Sequence, residues 1–316
     1  MSLNPSKPPG SNFNLGIWEL DLPVKSGTSI EIIPGTELTA GYTSEYFYTD
    51  KTDGSMVFWC PATGAATPNS HFPRSELRET GNGTDWPLLS GTHILNATCK
   101  VTLLPKTKGI YIGQIHGDNA SDNPQICKLL WTIDNKITVQ IQNDSKPGTE
   151  ITYPMGSCIL GQKISYTLSM TSNGNNTSTL AASVTVNDST GKPITTAMSY
   201  VYKSTYWNNQ KYYFKAGDYV QETTTSGTDA GQVQFYALNV THTATATPTP
   251  APAPAPTPTP VPAPAPTPVP APAPTPVPAP APIPASTQIL VDKVAYDKLV
   301  KIQGLVNTLV TQIQQL

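Results

Sequence analysis

Short runs of alternating hydrophobic and polar residues recur between about Phe13 and His242, with the period of a β-strand. They include KVTLL at 100–104, KITVQIQ at 136–142, KISYTLSM at 163–170 and LAASVTV at 180–186. Clusters of turn-forming residues, such as NDSKPG, TSNGNN and NDSTGKP, separate them. No long helical pattern interrupts the series. Many short strands in one segment predict an all-β domain over 13–242, a sandwich or jelly roll.

A second pattern follows this domain. From Pro248 to Pro284 every even-numbered residue is proline. Proline fixes its own φ and disfavours helix in the residue before it. Residues 243–286 are therefore predicted to form an extended rod with about 3.1 Å per residue. A spacer is the favoured role, and a ligand for a proline-binding domain is the alternative.

The C-terminal residues 287–316 carry a third pattern, that of a short amphipathic helix. The apolar residues follow a spacing of three and four, which is a heptad seam: Leu299, Ile302, Val306, Leu309, Ile313 and Leu316. A helix at the end of a rod has no core of its own, so this seam predicts either self-association or surface anchoring. At the other end of the chain, residues 1–12 are predicted to be a disordered segment.

Composition and charge indicate the binding partners and the cellular location of the protein more than its reaction. The chain has 316 residues and four cysteines. Its net charge of −2 means that the protein as a whole does not attract nucleic acid. No Cys-X-X-Cys pair predicts zinc, and the cysteines form either two disulfides or four buried thiols. No signal peptide is visible in the N-terminal sequence. Asn-X-Ser/Thr sequences nevertheless favour an extracellular or surface-displayed protein.

Charged residues at every second position mark the stretch HFPRSELRE at 71–79. In a strand, Arg74, Glu76 and Arg78 share one face. In YIGQIHG, Gln114 and His116 also share a face, with Ile115 on the other. A solvated strand face and a structural histidine are the ordinary explanations for each motif alone.

The stretch KYYFKAGDYVQ at 211–221 has the same alternation. Tyr213, Lys215, Tyr219 and Gln221 share one parity, and the residues between them are mostly apolar. Pooled on one sheet, the three motifs supply cations and an amide that bind a sugar carboxylate. They also supply a histidine and tyrosines that exchange protons. No metal-binding spacing is evident among them, so no metal is predicted.

These motifs resemble a known family. RSELRE, QIH and YFKAGDYVQ, in this order across 74–221, are similar to the three signature regions of polysaccharide lyase family 7, the alginate lyases. IWELDLPV at 17–24 resembles the start of those domains, and the likeness covers about 13–242. The resemblance implies a concanavalin-like jelly roll with a cleft on its concave sheet. It also implies metal-independent, cofactor-free β-elimination of alginate, an anionic polysaccharide, giving 4,5-unsaturated uronate ends.

The resemblance also implies a role for each residue. Gln114 and Arg74 would neutralise the uronate carboxylate at the cleavage site. His116 would take the C5 proton of guluronate, and Tyr219 would protonate the departing oxygen. For mannuronate, whose C5 proton is on the opposite face, Tyr219 would serve as base and acid. Ile115 in QIH favours guluronate-containing blocks, and endo action is expected.

The remaining motif residues would bind the polymer around that point. Arg78 and Lys215 would pair with neighbouring carboxylates, with Tyr213 and Gln221 on the same face. Glu76, between two arginines, is expected to hold them in place. It is the one acidic residue firmly in the set, which counts against a hydrolase with two opposed carboxylates. The alternatives are a lyase on another polyuronate, such as glucuronan, and a non-catalytic carbohydrate-binding jelly roll displayed on a rod.

Overall fold

Two antiparallel β-sheets pack face to face in the computed structural model, which describes residues 2–68, 70–81, 85–118, 125–145 and 148–243. The C-terminal helix predicted for 287–316 lies outside the described residues. The rod predicted for 243–286 does too, apart from Thr243. Both remain predictions.

The elements, in chain order, are α1 (Pro9–Asn12), β1 (Trp18–Ser26), β2 (Ser29–Ile33), α2 (Gly35–Ala40), β3 (Phe47–Thr49), β4 (Met56–Pro61), β5 (Arg74–Glu79), β6 (Trp86–Pro87), β7 (Thr92–Leu103), β8 (Gly109–Gly117), β9 (Gln125–Thr132), β10 (Lys136–Gln142), β11 (Glu150–Ser157), β12 (Ile164–Ser172), β13 (Ser178–Asn187), β14 (Pro193–Tyr202), α3 (Thr205–Asn208), β15 (Lys211–Val220) and β16 (Ala230–Thr243). None of the helices in the described ranges is long and apolar enough to cross a membrane.

Each sheet combines runs of consecutive strands with neighbours from distant parts of the chain, as in a jelly roll. The first sheet runs β11-β10-β9-β8-β15-β5-β1-β2, with β6 paired to β15. The second runs β14-β13-β12-β7-β16-β4-β3. The four alternating runs noted in the sequence fall on β7, β10, β12 and β13. The predicted all-β jelly-roll sandwich is therefore confirmed.

The core lies between the two sheets and is built from the apolar positions of the alternating strands. Along β13, for example, Leu180, Ala182 and Val184 are buried while the residues between them face outward. On the second sheet Phe58 packs against Phe235 with ring centroids 5.4 Å apart. Burial of this kind is the main source of stability for a sandwich, at about 25 cal/mol per Å² of apolar surface.

The N-terminal residues differ from the expected disordered segment. Asn4 and Asn12 exchange two hydrogen bonds of 2.9 Å between backbone and side chain, and Pro9 in α1 is buried. A Cβ on Gly10 would lie 2.1 Å from the backbone oxygen of Leu38 in α2, so the segment packs closely on that helix. The expectation of disorder was wrong because this segment packs on α2, a contact that its own sequence does not show.

The four cysteines are free and buried. The structure thus supports the thiol alternative over two disulfides. Burial raises the pKa of the Cys127 thiol to about 12, which leaves that side chain in its unreactive thiol form at neutral pH.

Candidate active site

The three sequence motifs lie on the adjacent strands β8, β15 and β5 at the centre of the first sheet. On the central strand β15, Lys215 pairs with Arg78 of β5 on one side and with Gln114 of β8 on the other. Tyr219 pairs with Arg74, and Tyr213 with His116. Most of the predicted residues line one cleft on this sheet: Arg74, Arg78, Gln114, His116, Tyr213, Lys215 and Tyr219.

A register shift shapes the floor of the cleft. Between Ala216 and Tyr219, β15 carries one more residue than β8 opposite, while its pairing with β5 stays regular. Gly217, which lies opposite Glu76, has a φ of +152°. A Cβ there would be 2.6 Å from the Cα of Glu76. Glycine therefore allows β15 and β5 to approach closely beneath the cleft.

Glu76 is the fully buried centre of the polar network. Its carboxylate accepts from Gln114 Nε2 at 2.5 Å, pairs with Lys215 Nζ at 3.0 Å and with Arg74 Nη1 at 3.2 Å. The expectation that Glu76 holds two arginines is thus half right. Arg78 instead pairs with Asp85 at 3.4 Å and Glu19 at 3.5 Å.

Glu76 also fixes the orientation of the Gln114 amide. A carboxylate only accepts hydrogen bonds, so the amide must present its nitrogen to Glu76. One N–H goes to Glu76, and no acceptor for the second is found among the described residues. Gln114 Oε1 and Arg74 Nε are buried without a hydrogen-bond partner within the described ranges.

Lys215 is a buried cation held between two acids. Its Nζ lies 2.9 Å from Asp21 Oδ2 in addition to Glu76. Burial alone would lower the pKa of Lys215, but the charges of Asp21 and Glu76 raise it. Burial opposes ionisation of Asp21 too, yet Lys215 and Arg74 hold the pKa of Asp21 below its usual value. Both groups are therefore charged at neutral pH.

His116 is held as a neutral imidazole whose Nε2 bonds to none of the described residues. Its Nδ1 lies 2.8 Å from the backbone oxygen of Gly117. A carbonyl oxygen only accepts, so Nδ1 carries the hydrogen and Nε2 keeps its lone pair. Burial, followed by the charges of Lys215, Arg74 and Arg78, lowers the pKa of His116 to about 3. Tyr213 Oη also lies 2.9 Å from Nδ1.

Tyr219 packs its ring against the guanidinium group of Arg74. The guanidinium carbon of Arg74 is 3.8 Å from the centroid of the Tyr219 ring. The side chain is partly exposed, and its hydroxyl lies 3.0 Å from Ser70 Oγ. A phenol and a free imidazole nitrogen thus line the same cleft, beside cations and an amide that match a carboxylate.

Gln221 does not belong to this cleft. It follows the last residue of β15, where the strand alternation that grouped it with Tyr219 ends. Its Nε2 lies 3.3 Å from the backbone oxygen of Val220 and 3.4 Å from that of Tyr219. Its predicted role in substrate binding is therefore not supported by its position.

Sequence reasoning missed several residues that line the cleft: Glu19, Asp21 and Ser70. Glu19 and Asp21 alternate in IWELDLPV, and they pair in register with Arg78 and Glu76. The expectation of one acidic residue was therefore wrong. These acids nevertheless lie on neighbouring strands rather than across the cleft from one another. Ser70 precedes β5 in a loop, and no sequence pattern marks it.

The described residues contain no group of three or more His, Cys, Asp or Glu side chains that could hold a metal ion.

Asp218 points away from the cleft into the core, as the strand alternation predicts. Neither carboxyl oxygen forms a well-formed hydrogen bond with the described residues. Gly231 makes room for it, since a Cβ there would lie 2.6 Å from one oxygen. Burial, followed by the charge of Glu76, raises the pKa of Asp218 well above its usual value, despite the nearby backbone amide of Cys60.

We expect Asp218 to make the wild type lose stability as pH rises. The folded state keeps a proton that the unfolded state releases near pH 3.8. Stability from this group is full below that pH and falls by up to about 1.4 kcal/mol per pH unit above it. Urea unfolding at several pH values measures this effect. As pH rises from about 4 to about 8, above the pKa of the unfolded state, Asp218→Asn should become more stable relative to wild type. A constant difference between the two proteins would contradict a protonated Asp218.

A jelly-roll sandwich that gathers proton-transfer groups and carboxylate-binding side chains in one cleft has the features of a polysaccharide lyase for acidic sugars. Comparison with known proteins agrees. The profile of the family described as alginate lyase matches residues 13–242, and the chain belongs to that family.

Individual relatives cover the same domain. An alginate lyase from Klebsiella pneumoniae is 29% identical over 293 residues, covering 75% of this chain and 92% of the relative. The crystal structure of alginate lyase A1-II′, a member of polysaccharide lyase family 7, is 33% identical with a TM-score of 0.62, covering 75% of this chain and all of that one. An alginate lyase from Pseudomonas aeruginosa is 31% identical with a TM-score of 0.59, covering 72% of this chain and 99% of that one. The predicted family is confirmed.

Proposed function

We propose that this cleft cleaves alginate by β-elimination, with endo action on guluronate-containing blocks and without a metal ion. One observation carries the proposal. The Nε2 of His116, which bonds to no described residue, and the hydroxyl of Tyr219 line the cleft that also contains Arg74 and Gln114. Further support comes from relatives, because A1-II′ variants have been solved with a product, GGG, and with a substrate, GGMG.

The reaction begins at the C5 proton of the uronate, which is only weakly acidic. Arg74 and the second N–H of Gln114 bind the carboxylate and stabilise the charge that moves into it. His116 Nε2 takes the proton. The electrons of the C5–H bond form the C4–C5 double bond, and the C4–O bond breaks. Tyr219 gives its proton to the departing oxygen.

Substrate binding itself makes His116 a better base. In the free cleft, burial and three nearby cations lower the pKa of His116. The carboxylates of the polymer offset those cations, so the pKa of His116 rises when substrate is bound. For mannuronate the C5 proton is on the opposite face, and there Tyr219 serves as base and then acid.

The proposal is tested with separated guluronate blocks, mannuronate blocks and polyglucuronate, each with and without chelator. Unsaturated product is followed by ultraviolet absorbance, and endo action by an early fall in alginate viscosity. We expect guluronate-containing alginate to be the best substrate and chelator to change nothing. Turnover of polyglucuronate alone would favour the glucuronan alternative, and binding without turnover would favour a carbohydrate-binding module.

The buried His116 predicts an unusual acid limit. The ratio kcat/KM reports the free enzyme, in which the pKa of His116 is about 3. We expect kcat/KM on guluronate blocks to change less than about twofold between pH 7 and pH 5. A histidine with an ordinary pKa would be only about 3% neutral at pH 5, so its activity as a base would fall sharply. An acid limb centred near 6.5, the ordinary histidine pKa, would contradict the assignment.

Arg78 should contribute to binding more than to chemistry. Its side chain is 26% exposed, and its charge is only partly offset by Glu19 and Asp85. We expect Arg78→Gln to raise KM about five- to tenfold with kcat nearly unchanged, and to weaken the salt dependence of KM. Lys192→Gln, an exposed change beside the second sheet, is the control. A wild-type KM that does not respond to salt would argue against ionic binding of the polymer.

A further inference from the structure

Ser70 lies between two of the residues that the proposed reaction uses. Its Oγ accepts a hydrogen bond from Arg74 Nη2 at 2.8 Å and lies 3.0 Å from the hydroxyl of Tyr219. The backbone N–H of Phe72 also donates to this oxygen at 3.3 Å, and the hydroxyl can itself donate to the backbone oxygen of Phe72 at 3.2 Å. The serine hydroxyl is therefore held from several directions at the edge of the cleft.

The count of hydrogens at Ser70 fixes the direction of the Tyr219 proton. A serine hydroxyl has two acceptor sites and one hydrogen to donate. Arg74 and the Phe72 amide occupy both acceptor sites, so Tyr219 cannot donate to Ser70. The single Ser70 hydrogen then lies between two acceptors, the phenol oxygen of Tyr219 at 3.0 Å and the backbone oxygen of Phe72 at 3.2 Å. The contact between the two hydroxyls is therefore a shared donation from Ser70, with the phenol oxygen as the nearer acceptor. No other acceptor for the Tyr219 hydrogen is found in the described ranges, which leaves that hydrogen directed into the open cleft.

We propose that Ser70 is a positioning residue for Tyr219, an inference that rests on the proposed lyase function. Supported by Arg74, it keeps the phenol hydrogen directed at the departing glycosidic oxygen. When Tyr219 has given its proton away, Ser70 donates to the phenolate oxygen that remains. The Arg74 guanidinium, 3.8 Å from the ring centroid, stabilises the same charge.

Every proton in this step has a donor and an acceptor. His116 gains the C5 proton, Tyr219 loses its own, and the leaving sugar carries a new hydroxyl. Ser70 keeps its proton throughout. Exchange with water returns His116 and Tyr219 to their starting forms before the next turnover. Ser70 therefore acts through Tyr219 and needs no contact with the reacting atoms.

Three variants test the inference: Ser70→Ala, Ser70→Thr and the control Ser169→Ala. The control removes a hydroxyl from the second sheet, where Ser169 bonds to the backbone oxygen of Ala181. We expect Ser70→Ala to lower kcat on alginate about ten- to a hundredfold with KM within about twofold, since a hydrogen bond to a charged group is lost. Ser70→Thr restores the hydroxyl and should recover most of kcat.

A leaving-group comparison separates this role from a structural one. A guluronate with nitrophenoxide at C4 loses an anion that needs no proton, so Ser70→Ala should turn it over at nearly the wild-type rate. Equal losses on alginate and on the aryl substrate would overturn the inference. So would an unchanged kcat on alginate while the wild type is active. A wild type without lyase activity on alginate would overturn the proposed function and this inference together.

Discussion

His116→Ala is expected to lose about a thousandfold in kcat on guluronate blocks, because a positioned general base contributes about 10²–10⁴-fold. His116 Nε2 is the nitrogen with a free lone pair in the cleft, and its partner Nδ1 is held by the backbone oxygen of Gly117. Alanine removes the base but leaves Arg74 and Gln114 to bind the carboxylate. KM should therefore change much less than kcat, as measured from initial rates of ultraviolet absorbance.

The same variant should retain much of its activity on mannuronate blocks, where Tyr219 is proposed to act as base. Tyr219→Phe should lose activity on both block types, because it removes the acid in each case. His71→Ala, an exposed histidine in the loop before β5, is the matched control and should behave as wild type. Wild-type turnover of guluronate by His116→Ala and Tyr219→Phe would show that the site assignment is wrong.

Glu76→Gln is expected to destabilise the fold by about 3–5 kcal/mol, the usual cost of leaving buried charge without its partner. The glutamine keeps the shape of the side chain, but it removes the charge that faces Arg74 and Lys215. The new amide nitrogen would also face a donor in either orientation, Gln114 at one position or Lys215 and Arg74 at the other. Urea unfolding at neutral pH measures the change.

The same substitution at a partly exposed glutamate shows whether the effect depends on the buried position of Glu76. Glu31→Gln alters a partly exposed residue on the edge strand β2 and should shift stability by less than about 0.5 kcal/mol. If Glu76→Gln is as stable as wild type, the buried network does not depend on its carboxylate. In that case Lys215, which still faces Asp21 at 2.9 Å, would be sufficiently paired without Glu76.

Strand alternation explains why much of the site could be predicted from sequence. Side chains two apart on one strand share a face whatever the rest of the fold does. That rule placed Gln114 with His116 and Arg74 with Glu76, and it placed Asp218 on the core side. The same rule failed at Gln221, because the strand ends at Val220 and alternation has no meaning beyond it.

Contacts between distant segments were beyond the sequence pattern. Asp21 reaches Lys215 across 194 positions in the chain, and only the pairing of β1 with β5 and of β5 with β15 brings them together. Ser70 meets Tyr219 through a loop whose course depends on packing rather than on periodicity. The packed N-terminal segment was missed for the same reason, since its partner α2 is separated from it in sequence.

Digestion of alginate in oxygen-labelled water tests the central claim most directly. Elimination breaks the C4–O bond without adding water, so each new non-reducing end carries a double bond and neither new end carries the label. Hydrolysis would add one labelled oxygen per cleavage and leave saturated ends. Mass spectrometry of the wild-type products should show unsaturated, unlabelled uronate ends, and these should be absent with Tyr219→Phe. Saturated products carrying the label would contradict a lyase mechanism in this cleft.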